Sequence, residues 1–477
     1  MKLSEKVSLS IALSAVPAQS AGFSVPGLIV DAPEVPVYQR VRAVTRSDYA
    51  TILSTTDTAA AWAAKLWYSG NVATAYIIRW ASTAQAAAFV MKSFNSTVAT
   101  WAAATTSLDF AITDGSTTED FAAAVVSAAT SMSDVCASLQ TAIRGSSSFA
   151  DDLSAATVVI DDLGNMVLTT GETGADATTY SIVAPTTGTG TDITTSTYLN
   201  IASKSFTVAG MDAEDPDDAL AAALAINDEI RIIHEIGASI AQQSSLATAC
   251  ASYGKILLLN VRDSNAKDST DTTNIAYLLS AASNSYARGV YTEHPGDYPS
   301  ATENGQLLTR PEGSASFANN PLSGVYESGL GSDGTSIIAL TASERAALDA
   351  VNCDYIVKPM SNKMCNHGLT FAGIEMKHRV GYSWAELRSA EEIEAYLEQN
   401  EVTFSDTDIQ VICSIIFKYL DILVDRKCSS SYTINVPSAA DISLIEQATH
   451  TLTLSEVASI ISAYAINQVV ATATATA

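Results

Sequence analysis

The run Lys255-Ile256-Leu257-Leu258-Leu259-Asn260-Val261 decides the fold class. A strand with one wet face alternates polar and apolar residues. This run is mostly apolar, so it reads as a strand buried on both faces, as in a parallel sheet between helical layers. Working outward, strand and helix alternate on either side. Upstream, Asp215–Ile226 reads as a helix, Ile230–Ile236 as a strand and Leu246–Tyr253 as the end of a helix. Downstream, Asn274–Ser283 reads as a helix and Ala287–Thr292 as a strand. This spacing implies an α/β fold, α+β overall, whose core is a mainly parallel sheet with helices on both faces. Nearer the N-terminus, Gly27–Val30 is a short buried strand after Pro26. Asp57–Tyr68 is a helix with Trp62, Leu66 and Trp67 on or near one face, and Ala75–Trp80 is the next strand. Beyond the central run, Pro295–Asn320 reads as a loop with several Pro, Gly and Ser residues. Thr341–Asn352 is a helix whose Thr341 and Glu344 have capping-box spacing. A long helix is expected over Asp406–Lys427, with Ile409, Ile412, Ile416, Leu420 and Leu423 on one face.

One segment breaks the pattern. From about Ala104 to Ala202 the chain is rich in Thr, Ser, Gly and Asp, and its 12 acids face a single base, Arg144. Short β-like runs at Ala155–Ile160, Met166–Thr169 and Tyr180–Ala184 surround one helix near Ser133–Ile143. It reads as a small, acidic, β-rich inserted domain. The expected organisation is an N-terminal arm over 1–20, a first part of the core over 21–103 and the insertion over 104–203. The rest of the core, with a C-terminal region, follows over 204–460, and a C-terminal arm over 461–477.

Both arms have strand periodicity. Val7, Leu9, Ile11 and Leu13 share one face while Ser8, Ser10 and Ser14 mostly take the other. The tail Val470–Ala477 alternates likewise, without charge or Pro. A free uncharged terminal strand is an aggregation hazard unless paired. Each arm either pairs within its own monomer or is donated to a neighbour's sheet by strand addition. Lys2 and Lys6 before Val7–Ala21 give a loose signal-peptide look, but Glu5 and the three serines interrupt it.

Composition bounds the function. The chain has 477 residues, enough for roughly three domains at about 150 residues each. Apolar residues make up 47%, sufficient for a sizeable core. Lys plus Arg is 25 against 51 for Asp plus Glu, a formal net charge of −26. Such an acid excess argues against nucleic acid as a partner, because phosphate would be repelled, and against an anionic membrane surface. No apolar run reaches the ~18 residues of a membrane span, so no membrane insertion is expected. The cysteines, Cys136, Cys250, Cys353, Cys365, Cys413 and Cys428, are scattered without a C-x-x-C pair, which reads as thiols of a reducing compartment.

The candidate motifs yield no catalytic constellation, and no enzyme activity, cofactor or metal is expected. Gly329-Leu330-Gly331-Ser332-Asp333-Gly334 matches G-x-G-x-x-G, but a dinucleotide site needs a strand before it and a helix opening within it. Here Pro321–Ser328 is not a strand and Thr335–Leu340 reads as β. Asp212, Glu214, Asp215, Asp217 and Asp218 cluster around Pro216, yet lack the spacing of a calcium loop. A capped helix start explains them. Cys353, Cys365, His367 and His378 fit no common zinc spacing. His234, inside an apolar strand, reads as a satisfied core or edge histidine. Lys418, Asp421, Asp425, Arg426 and Lys427 lie on the polar side and end of the long helix, as salt bridges and helix-end charges or as a basic spot where an acidic partner docks.

In their order, several stretches resemble a widespread family of myophage contractile-tail sheath proteins. Asp57–Ser82 is similar to its first helix–strand unit. Phe110–Asp114, Ser131–Ile143 and Val158–Gly171 resemble its inserted β domain, and Ala209–Ala221 its acidic helix start. Asn320–Val325 and Glu344–Val357 resemble the lead into its C-terminal region, and Gly373–Trp384 and Tyr432–Pro437 its following strands. Two departures are an extra loop at Gly329–Thr335 and the basic run Lys377-His378-Arg379, in a stretch that is usually acidic.

The resemblance implies a structural virion protein that forms hexameric rings stacked helically around a tail tube. It is assembled in the host cytoplasm and contracts to drive the tube through the host envelope during genome delivery. Its partners would be other copies of itself, the tube protein, and the baseplate and tail terminator proteins. Val7, Leu9, Ile11 and Leu13, with Ile466, Val469, Val470, Thr472, Thr474 and Thr476, would form the inter-subunit arm strands. Lys418, Arg426 and Lys427 are candidates to face the tube. The alternatives are a secreted acidic surface-layer or adhesin protein, which would require cleavage near Ala21, and a doubly wound α/β enzyme.

Overall fold

A computed structural model describes residues 7–8, 23, 25–31, 35, 37–53, 57–68, 72–91, 97–161, 164–331, 334–359, 361–400, 403, 405–434, 436, 438, 452–453 and 458–462. The chain divides into two compact units. One comprises 1–35, 39–79 and 216–477; the other comprises 36–38 and 80–215.

The first unit is built on an eight-stranded sheet. From one edge the order is Met364–Cys365, Asp354–Val357, Ala287–Tyr291, Ile256–Val261, Ile232–Ile236, Pro26–Val30, Thr74–Arg79, Val41–Thr45. The six inner strands are mutually parallel, and the two edge strands run antiparallel to their neighbours. Every residue of Pro26–Val30, Ile256–Val261 and Ala287–Tyr291 is buried, as a strand covered on both faces requires. On one face Leu28, Val30 and Ile77 meet Trp62, Ala63 and Leu66 of the helix Asp57–Leu66. Farther along, Ile232, Ile256, Leu258 and Val290 meet Val380, Trp384 and Leu387 of a long helix, Met376–Gln399. Because side chains alternate along a strand, Ile29, Ile233, Leu257 and Leu259 point the other way. There the helix Pro216–Ile226 touches Pro26–Val30 and Thr74–Arg79, and Ile240–Ser252 touches Ile256–Val261 and Ala287–Tyr291. The side on which successive strands are added reverses at Pro26–Val30, since Thr74–Arg79 joins one side of it and all later parallel strands join the other.

Helix starts are specified locally. Ser239 with Gln242 and Thr341 with Glu344 each form a reciprocal capping box, satisfying two backbone donors that a helix start leaves open. Asn274 and Ser405 cap Ile275–Ala281 and Asp406–Asp425 through single side-chain acceptors.

Two elements differ from the sequence reading. The segment read as a loop, Pro295–Asn320, contains a helix, Pro299–Gln306, buried from Pro299 to Gly305. Its polar composition mimics a loop, but Ser300 and Asn304 meet His234 across the sheet face. Gly373–Trp384, expected as a strand, enters the helix Met376–Gln399. Met376, Val380, Trp384 and Leu387 are buried at helical spacing. Buried Lys377, His378 and Ser383 between them blur the apolar stripe.

The second unit has two four-stranded sheets. In one, Leu108–Thr113 pairs with Ser181–Val183, Thr191–Asp192 and Thr118–Ala123. The other runs Ser205–Val208, Ala86–Met91, Met166–Thr173, Thr157–Ile160, all antiparallel. The helix Met132–Arg144 contributes Val135, Leu139 and Ile143 to a core with Trp101, Phe110 and Leu168.

Candidate assembly surfaces

The expected N-terminal arm enters the described structure at Val7–Ser8. This strand pairs in parallel with Leu452–Thr453, joining Val7 to Leu452 and Ser8 to Thr453. Ser429–Ile434 pairs antiparallel with Ala458–Ser462, with an irregularity between Ser429 and Ser431. Each pair is a two-stranded sheet among the described residues. Leu9, Ile11 and Leu13, and Ile466, Val469, Val470, Thr472, Thr474 and Thr476, lie outside the described residues.

The helices Met376–Gln399 and Asp406–Asp425 pack together, with the rings of Trp384 and Tyr419 edge to face at 5.5 Å. Lys418 Nζ lies 2.6 Å from Glu392 Oε2, to which the Tyr419 hydroxyl also donates at 2.6 Å. These two donors hold the Glu392 carboxyl below its ordinary value. Arg426 donates to the Glu312 carbonyl at 2.9 Å, pairs with its carboxylate at 3.3 Å and lies over the Trp384 ring. Lys427 takes a left-handed backbone, φ 56°, just past the helix end, and its exposed ammonium has no partner among the described residues. Two of the three candidate tube-facing bases are therefore already neutralised by carboxylates of their own unit. The basic run that departs from the family pattern is also internally engaged: Lys377 pairs with Glu375 at 3.4 Å, His378 is fully buried and Arg379 lies over the Tyr286 ring.

The other candidate motifs fall apart into separate structural roles. Of Gly329–Gly334, Ser332 and Asp333 lie outside the described residues, and Leu330 is bridged antiparallel to Ile337. A Cβ on Gly329 would stand 1.6 Å from the Ile338 carbonyl oxygen, so close backbone approach explains the glycine. In the acidic cluster, Asp212 accepts from the Ala175 amide and Glu214 from the Ala81 amide. Cys365 donates to Glu303, while His367 pairs with Asp349 at 2.9 Å. No group of three or more His, Cys, Asp or Glu side chains with metal-site geometry occurs among the described residues, and no helix is long and apolar enough to cross a membrane.

Two acids of the second unit, Glu119 and Asp120, work as loop ties. Glu119 accepts from the Ser146 and Ser147 hydroxyls and from the Ser147 and Ser148 amides. Burial pushes its carboxyl up, but these donors outweigh burial and bring it down to about 2. Asp120 is brought to about 2 by the hydroxyls and amides of Thr186 and Thr187.

The chain is similar to two solved sheath proteins. One is the contracted helical sheath of the anti-feeding prophage: 10% identity, 98% of each chain covered, TM-score 0.49. The other is the sheath tail protein Lin1278 from Listeria innocua: 10% identity, 88% of this chain and 89% of that one covered, TM-score 0.44. No family model and no curated protein matches the sequence.

One buried network has no counterpart in the sequence reading. Arg288 donates to both Glu303 oxygens, at 3.1 and 2.5 Å, and pairs with Asp354 at 2.9 Å. Asp354 in turn accepts the amides of Tyr355, Asn366, His367 and Gly368. Burial alone would lower the Arg288 guanidinium, but Glu303 and Asp354 outweigh it and keep Arg288 charged. Burial pushes the Glu303 carboxyl up. The network ties the start of Ala287–Tyr291 to the helix Pro299–Gln306 and to the start of Asp354–Val357.

Proposed function

We propose that this chain is a structural subunit of a contractile tail sheath, polymerising with copies of itself around a tail tube and contracting to drive the tube through a host envelope. The observation that carries the reading is how the described strands nearest the two termini pair. Val7–Ser8 pairs with Leu452–Thr453 beside no larger sheet, and Ser429–Ile434 pairs only with Ala458–Ser462, among the described residues. A lone two-stranded sheet is marginal in water; three or more strands are needed for independent stability. Strands supplied by neighbouring copies complete such sheets and link the bodies permanently. The ordered sequence resemblance points the same way. Contraction is then a downhill exchange of contacts between the α/β bodies, with the paired strands as tethers and no cofactor consumed.

The test is negative-stain electron microscopy of the purified full-length protein at moderate salt, next to a variant lacking 466–477. Tubes or stacked rings of uniform width are expected from the full chain and none from the truncated one. Monomers alone from the full chain, at high concentration and with tube protein added, would overturn the sheath reading. Polymer from the truncated chain would remove the C-terminal arm from it.

A further inference from the structure

A cavity of about 340 Å³ opens beside Asp354–Val357, lined by Glu327, Leu340, Arg345, Tyr355, Lys358 and Asn366 among others. Its charge is unusual for this chain. Many cations of the first unit already face a carboxylate, among them Lys65, Lys255, Lys267, Arg288, Lys418 and Arg426. Arg345 and Lys358 are both exposed, and neither the guanidinium nor the ammonium makes a hydrogen bond or ion pair among the described residues. The walls are fixed by other contacts. Asn366 donates to the Tyr355 hydroxyl at 2.9 Å, the strand Asp354–Val357 is paired on both sides, and the helix carrying Arg345 starts at the Thr341–Glu344 capping box. The site is therefore a firm, partly apolar recess whose lining carries two uncommitted positive charges against one carboxylate, Glu327, a net positive spot in an acidic chain.

The rest of the chain is acidic, with a formal net charge of −26. Identical copies repel one another at long range. Contact between them needs places where a cation of one meets a carboxylate of the next, which fixes register and suppresses wrong pairings. Carboxylates are available: Asp151 and Asp176 of the second unit are exposed, with no side-chain partner among the described residues. We infer that the Arg345–Lys358 recess is a docking site between copies of this chain, taking an exposed carboxylate of a second copy between the two cations. This inference rests on the sheath reading and deepens it, by naming a contact that joins the bodies apart from the arms.

The experiment uses the full chain. Polymer and monomer are treated with a zero-length carbodiimide, which joins a lysine amine to a carboxylate with loss of water, and cross-linked peptides are identified by mass spectrometry. In parallel, Arg345→Glu and Lys358→Glu are introduced together, and the concentration at which polymer first forms is followed by light scattering. The expected results are a Lys358-to-carboxylate cross-link in polymer but not in monomer, and a rise of roughly tenfold or more in that concentration, as for like charges brought face to face. Thermal unfolding of the monomer should not change, since both side chains are exposed. Lys358→Gln, which cannot repel, should shift the threshold less. Polymer that forms at the same concentration with both charges reversed, or that gives no Lys358 cross-link, overturns the inference and leaves the sheath reading standing. No polymer from the unaltered chain overturns both.

Discussion

Arg288 and Gly289 are neighbours with opposite demands. Arg288 is fully buried and its charge is tolerable only because Glu303 and Asp354 face it. Arg288→Met should cost about 3–5 kcal/mol, because it strands two buried carboxyl groups. Glu303→Gln should cost less, since Asp354 still faces the guanidinium at 2.9 Å and an amide oxygen keeps part of the hydrogen-bonding shape. Urea midpoints of the two variants check the asymmetry. Gly289 is set by space. A Cβ there would lie 2.5 Å from Phe371 Cζ and 2.8 Å from Val261 Cγ2, both in buried side chains. Gly289→Ala should therefore destabilise by about 1–3 kcal/mol through overpacking, read by the same unfolding curves. Neither role was legible in the sequence. The carboxylates of Arg288 stand 15 and 66 positions away in the chain, and Phe371 is brought to Gly289 by tertiary packing alone. Local windows register hydropathy and caps; they do not register which distant side chains converge.

Elements were legible where their signal is local. The apolar run at Ile256–Val261 is a central strand as read, and the Thr341–Glu344 spacing is a capping box with both reciprocal bonds, at 3.3 and 2.8 Å. Thr341→Ala should cost about 1 kcal/mol, and an N-capping Asp at the same position should recover most of it; thermal unfolding of the pair decides. The helices Pro299–Gln306 and Met376–Gln399 were not legible, because each buries polar side chains whose partners come from elsewhere in the fold. In the second unit the acid excess was plain in the sequence, but not its use. Glu119 and Asp120 sit near 2 in the folded state against ordinary values of 4.5 and 3.8. The unfolded chain therefore binds more protons than the folded one between those values, so the stabilisation is present above about pH 4.5 and is lost as pH falls towards 2. Hydrogen-exchange protection at Ser147–Ser148 and Thr186–Thr187, measured against the unfolded chain at the same pH, should fall across that window, and Glu119→Gln should flatten its pH dependence at the serine loop only.

At the scale of the whole molecule, the mainly parallel sheet, the helices on both faces and the acidic character of the middle of the chain were readable and the strand order was not, while most of the arm residues singled out lie outside the described structure. On the proposed reading, assembly would turn on two electrostatic terms of opposite sign. A net charge of −26 per copy makes approach costly at low salt, where the screening length is about 30 Å at 0.01 M; it falls to about 8 Å at 0.15 M. On the same reading, strand pairing between copies would be carried by backbone hydrogen bonds and apolar side chains, which salt weakens little. Polymer formation should thus rise steeply from 0.01 M to 0.15 M salt as repulsion is screened. If cation–carboxylate contacts such as the Arg345–Lys358 recess also bind the bodies together, the gain should level off or reverse towards 1 M, where screening reaches about 3 Å. Light scattering across a salt series separates the terms. The chain lacking 466–477 should stay unassembled at every salt, while its monomer unfolds at the temperature of the full chain, because the body keeps its own core. Truncated chain that assembles once repulsion is screened would mean the bodies alone hold the polymer, with the arms serving only to guide it.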